Sequence, residues 1–383
     1  MYGRDGMRFA NDRQLRPIKS RHPNLSDSQI RAALLYVPHE ARSKLMNMSD
    51  EDRYNFLCDE HKLDVLLSLV ASQDILTNAV TTDDLEDYVK SYWGVEIADL
   101  GGLDTEAMRD TFIQMLKVFL DFPVLVGRVE QIVQYYMYKD DLAWCELADH
   151  PSKTVITFNT FYYTDVISVE TAYKNLEEDF NAPYGTSYTS VGVHELGHAL
   201  SAYLTWVHHN DELEYATKHD WIDGVTASKI VDKALMSTEL CAAADYVDSK
   251  LSSEATLFFE NTRKRDIKMA LFSSLSRYSL YVDKWKIDKE IIAEAFADWY
   301  TNYEKAHPLS MNIRRVFMET LSKPNSRIGR GVLPRFIAEH YQIHIENNPF
   351  DEIIGVKEDA PEWAKEEFKK WKKRRDGETD ERI

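Results

Sequence analysis

The chain is short of the features that would tie it to a bilayer, an oxidising compartment or a nucleic acid. No uncharged apolar run approaches the roughly 20 residues that span a membrane. The basic start, with Arg4, Arg8, Arg13 and Arg16, has no apolar stretch behind it and so does not read as a signal peptide. Only three cysteines occur, Cys58, Cys145 and Cys241, far apart and odd in number. They suggest neither a disulfide framework nor a CxxC metal site, and a reducing compartment fits them best. Positive charge is scarce as well: 46 Lys and Arg against 64 Asp and Glu leave a formal net charge of -18. That balance argues against a general nucleic-acid-binding surface, because phosphate backbones attract basic faces. The expected setting is cytoplasmic or particle-associated, with no transmembrane segment and no specific nucleic-acid partner.

Apolar material is plentiful, at 44% hydrophobic and 12% aromatic residues in 383, enough for two or three packed units. Residues 1–22 form a basic arm. From Leu25 to about Leu100 the periodicity is helical, with Ser26 or Ser28 capping a helix that carries Ile30, Leu34 and Leu35, and Ser49 capping one that carries Tyr54 and Leu57. Gly101-Gly102 breaks the pattern, and Met108, Phe112, Met115, Leu116 and Phe119 then share one face of a new helix. Val129 to Met137 and Thr154 to Phe158 read as strands. Helices follow at about Ser190 to His208, Ile230 to Val247, Ala255 to Leu280 and Ile287 to Tyr303. The stretch from Pro361 sets Trp363, Phe368 and Trp371 among dense Lys, Glu and Arg, an amphipathic helix and a candidate protein-partner surface. The expected class is α+β. A helical N-terminal region spans 1–102, a central unit 103–306 carries a helical insertion at about 211–266, and a helical extension with a charged tail occupies 307–383.

The chemistry concentrates in Val193-His194-Glu195-Leu196-Gly197-His198. Histidines four apart project from one face of a helix, so both imidazoles can reach one metal ion. Glu195 beside them is placed to take a proton from an activated water, the arrangement of a metal-dependent hydrolase. A third protein ligand is needed. The metzincin continuation is excluded, because Ser201 and Leu204 stand where its glycine and third histidine would be. His208 and His209 lie ten and eleven residues beyond His198 and read as surface histidines. A second helix offers Glu290, Glu294 and Asp298 at successive i,i+4 positions among Ile291, Ala295, Phe296 and Trp299. Three stacked acids on an otherwise apolar helix call for a compensating cation or histidine.

These pieces, His194 to Leu200, Leu275-Ser276-Arg277-Tyr278-Ser279 and Glu290 to Asp298, resemble the gluzincin metallopeptidases, in the branch typified by the anthrax lethal factor catalytic domain and phage-encoded HExxH peptidases. The resemblance covers roughly residues 105–305. It implies a zincin-like domain and a zinc endopeptidase acting on a protein or peptide substrate. His194, His198 and Glu290 would be zinc ligands, Glu195 the general base, Tyr278 the oxyanion donor, and Glu294 a support for the ligands. Glu294 stays open as the third ligand, and Tyr281 rivals Tyr278. In such peptidases an edge strand aligns the substrate, for which Thr154 to Asn159 is the candidate. The long gap between His198 and Glu290 keeps a second expectation alive: a phage-particle or toxin-associated interaction protein that retains zinc without turnover.

Overall fold

The N-terminal helices are written in their caps. In the computed structural model, which describes residues 12–37, 45, 48–138, 141–209, 214–235, 275–276, 278, 287–321, 341–343, 353–356, 362, 365 and 369, α1 (Asp12–Arg21) leads into α2 (Asp27–Leu35). Ser26 and Gln29 close a reciprocal capping box at the start of α2. Ser49 accepts from the Asp52 N–H to start α3 (Asp50–His61), and Lys62, at φ 52°, turns the chain directly into α4 (Leu63–Ala71). Next come α5 (Gln73–Thr77) and α6 (Thr82–Tyr88), the latter extended by a π-turn over Val89–Trp93. Trp93 stacks on Phe119 at 4.5 Å between ring centroids and meets Phe112 edge-on at 5.1 Å. Both partners belong to α7 (Thr105–Asp121), so one apolar core runs across the Gly101-Gly102 turn.

Two strands depart from the reading of the sequence. β1 (Ile97–Asp99) lies inside the stretch expected to be helical. Gly94, at φ 70°, ends the preceding turn, and Ile97, Ala98 and Asp99 then pair in parallel with β2 (Val129–Tyr135). β3 (Ala143–Leu147) was not expected at all, and it pairs antiparallel with β4 (Thr154–Asn159). The sheet order is β1-β2-β4-β3, so β4 is an interior strand and not the expected edge. Among the described residues, β3 has no partner on its outer side. Leu142 O accepts from Asn159 N at 3.0 Å and Ala148 N donates to Lys153 O at 3.0 Å. By antiparallel alternation, Ala143, Cys145 and Leu147 then turn their N–H and C=O groups to the free edge.

The remaining helices are α8 (Val166–Glu178), α9 (Val191–His208), α10 (Glu214–Asp223), α11 (Val225–Leu235), α12 (Ile287–Asn302) and α13 (Pro308–Leu321). α10 and α11 occupy the described part of the expected insertion. An antiparallel ribbon of β5 (Tyr341–Ile343) and β6 (Ile353–Val356) makes the C-terminal extension more than helical. None of the described helices is long and apolar enough to cross a membrane. The basic arm through residue 11, the expected helical stretches 236–247 and 255–274, Tyr281 and the aromatic residues after Pro361 lie outside the described residues.

α9, α12 and α13 form the layer that carries the site. Phe296 packs on Phe317 at 5.3 Å and on Phe122 at 5.8 Å. Beside this cluster, Asp121 Oδ2 accepts from Arg314 Nε (3.0 Å), Arg314 Nη2 (2.6 Å) and the Tyr300 hydroxyl (2.6 Å). The ion pair is largely buried, so removing one partner strands a charge in the core. Arg314→Met should therefore cost about 3 kcal/mol of unfolding free energy, read from urea denaturation; a loss near zero would contradict the role given to the pair. A pH effect follows at the entry to α13, where His307 Nδ1 accepts from the Leu309 N–H at 3.2 Å. Burial holds the His307 pKa below its ordinary value, against the opposing charge of Asp298. The unfolded chain thus takes up this proton first, near pH 6.5. The stability contributed by neutral His307 is complete above that pH and is lost as the pH falls toward the folded-state value. The stability difference between wild type and His307→Asn should shrink between pH 7 and pH 5, and a pH-independent difference would contradict it.

Candidate metal centre

α9 is apolar around most of its circumference, as a helix enclosed by protein must be, and two glycines let its neighbours close in. A Cβ on Gly192 would lie 2.5 Å from Met115 Sδ and 2.7 Å from Thr111 Cγ2, which is how α7 reaches one side. A Cβ on Gly197 would lie 2.9 Å from Ala293 Cα, a backbone atom of α12. This approach sets Glu290 and Glu294 of α12, one turn apart, against His194 and His198 of α9, also one turn apart.

The resulting geometry is specific. Glu290 Oε2 lies 3.4 Å from His194 Nε2 and 3.4 Å from His198 Nε2. All three donor groups offer atoms within 4.8 Å of one another, forming a set that can hold a metal ion. Ligands about 2.0 to 2.1 Å from a tetrahedral ion are themselves about 3.3 to 3.4 Å apart, so two edges of the set already have the spacing that zinc needs. On the other ring nitrogen, His194 Nδ1 meets Glu294 Oε1 at 3.1 Å. A carboxylate there orients the ring and leaves Nε2 directed at the shared point. The two glutamates are thereby separated: Glu290 stands with both Nε2 atoms, and Glu294 stands behind His194. Asp298, the third acid, accepts from Asn302 Nδ2 (2.8 Å) and from the His307 N–H (2.7 Å), and so closes the end of α12 away from the centre.

The electrostatics match this division. The neighbouring imidazoles hold the Glu290 carboxyl well below the usual range although burial opposes them. Burial pushes Glu195 up, with His194 and His198 pulling the other way, and its side chain is almost fully enclosed. Tyr278 places its ring 6.4 Å from that of His194. Burial, then the charges of Glu290, Asp141, Glu195 and Glu294, push its hydroxyl far above the ordinary tyrosine value, so it stays a donor. His194, Glu195, His198, Tyr278, Glu290 and Glu294 all border one open cleft of about 980 Å³, whose opposite wall is β3.

Reading the sequence missed several neighbours. His208 and His209 are buried, not surface residues, because α10 and α11 fold back over the end of α9: His209 Nε2 meets Asp220 Oδ2 at 2.9 Å, and His208 Nε2 meets Lys229 Nζ at 3.1 Å. Cys145 of β3 and Trp221 of α10 line the cleft, yet neither sits in a local pattern that marks it. No protein-family model, curated protein or solved structure matches this chain.

Gly197→Ala tests the close approach. The added methyl has to push α12 away from α9, at a cost of about 1 to 3 kcal/mol. Calorimetry should show lower thermal stability, while an alanine at Ser68, an exposed position of α4, should change little; a neutral Gly197→Ala would mean that the helices are not in contact there.

Proposed function

We propose that the protein is a zinc-dependent endopeptidase of the gluzincin type, with His194, His198 and Glu290 holding the metal. One observation carries the reading: two imidazole nitrogens stand 3.4 Å from a single carboxylate oxygen, in a cleft that also contains the buried Glu195 carboxyl. Two nitrogens and one oxygen suit zinc in composition and leave a coordination position open. Bound zinc would supply Lewis acidity, polarising a carbonyl and lowering the pKa of water.

The residues of the chain would do the rest. Glu195 accepts the proton of the attacking water on its carboxylate and passes it to the departing amine, a task suited to a carboxyl whose pKa is raised by burial. Tyr278 donates its hydroxyl proton in a hydrogen bond to the oxygen of the scissile carbonyl as charge develops there. Glu294 holds the His194 ring in place through Nδ1. An extended peptide can be aligned by adding to the outer edge of β3, where Ala143, Cys145 and Leu147 turn outward main-chain groups that have no strand partner among the described residues. β3 takes the role first assigned to Thr154 to Asn159.

Metal analysis together with peptide cleavage separates the parts. Wild-type protein should carry one zinc and cut a proteome-derived peptide library. His194→Ala and Glu290→Gln should lose the metal, whereas Glu195→Gln should keep it and cut at least about a hundredfold more slowly. If Glu195→Gln cleaves like wild type, the mechanism is wrong. If wild type binds zinc and cuts nothing, the non-catalytic reading replaces it.

A further inference from the structure

The insertion between the two site helices does more than lengthen the chain. Asp220, near the end of α10, accepts from the Thr226 N–H at 2.7 Å, the Thr226 hydroxyl at 2.8 Å and His209 Nε2 at 2.9 Å, which ties the α10–α11 turn to the end of α9. The next residue, Trp221, is thereby directed into the cleft, half-buried, with its ring 6.3 Å from that of His198 and nearly perpendicular to it. From the other side, Lys289, the neighbour of Glu290, donates to the Trp221 carbonyl at 2.6 Å and holds its ammonium 4.6 Å from the indole centroid. An indole clamped between α9 and α12, beside the metal-binding residues and open to the cleft, is a preformed wall.

Resting on the peptidase reading above, we propose that Trp221 is the specificity wall for the substrate side chain flanking the scissile bond, and that it selects a large apolar residue. The indole supplies flat apolar surface to such a side chain. A cationic side chain is disfavoured against the ring, because the Lys289 ammonium already lies over it. Lys289 is a positioning residue in this scheme, fixing the wall to the helix that carries Glu290.

Binding of small hydroxamates to the zinc-loaded full-length protein tests the assignment, since the chelating group is constant and only the side chain varies. In wild type, the leucine-type compound should bind about tenfold or more tightly than the glycine-type and lysine-type compounds. In Trp221→Ala the leucine-to-glycine ratio should fall toward one, and in Trp221→Phe most of it should remain, which a general loss of folding would not produce. An unchanged ratio in Trp221→Ala, or a wild-type preference for lysine, overturns the proposal while leaving the metal centre standing. Wild type that takes up no zinc overturns the peptidase reading and this inference with it.

Discussion

The contact of α9 with α12 at Gly197 and Ala293 is the constraint on which the rest of the site depends. With the added atom of any larger residue only 2.9 Å from the Ala293 Cα, no side chain can stand between the helices. Their axes are brought close enough for short side chains to meet across the gap. His194 and His198 step one turn along one helix, Glu290 and Glu294 one turn along the other, and the four groups interlock. Ala293 and Phe296, three residues apart on α12, are both buried on the side that meets Gly197, so the rotation of α12 about its own axis is set by apolar burial. Polar geometry thus follows from hydrophobic packing.

That packing creates an electrostatic demand. Glu195, Glu290 and Glu294 are enclosed together, and two imidazoles are the only basic groups that the ion-pair geometry sets directly against them among the described residues. Buried carboxylates without a partner are costly, and a cation at the point shared by the three donor atoms would relieve that cost. The environment also divides the labour among like groups. Glu290 faces two imidazoles and is held ionised, while Glu195, more dominated by burial, has its proton affinity raised. The same separation of carboxyl roles underlies the proposed chemistry.

How much of this could be read in advance varies with the range of the interactions. The HELGH helix was legible because its periodicity and both histidines fall within five residues. α7 and α12 were legible for the same reason, and Ser26, Ser49 and the Gly101-Gly102 break marked local boundaries. Choosing between Glu290 and Glu294 was not possible from spacing, since both lie on one face of α12 and only the docking of that helix on α9 separates them. β1 is three residues long, and β3, Ala-Trp-Cys-Glu-Leu, has little alternation of its own; each becomes a strand through its neighbour. The burial of His208 and His209 and the placement of Trp221 arise from α10 and α11 folding back, a non-local event with no local signature.

The central claim is that two histidines of α9 and one glutamate of α12 form a single metal centre. Anomalous X-ray scattering at the zinc absorption edge from crystals of the zinc-loaded protein tests it most directly. The account predicts one strong peak about 2.0 to 2.2 Å from His194 Nε2, His198 Nε2 and a Glu290 carboxylate oxygen, with Glu294 hydrogen-bonded to His194 and not to the ion. A peak held by Glu294 in place of Glu290, or no peak between the two helices, would contradict it.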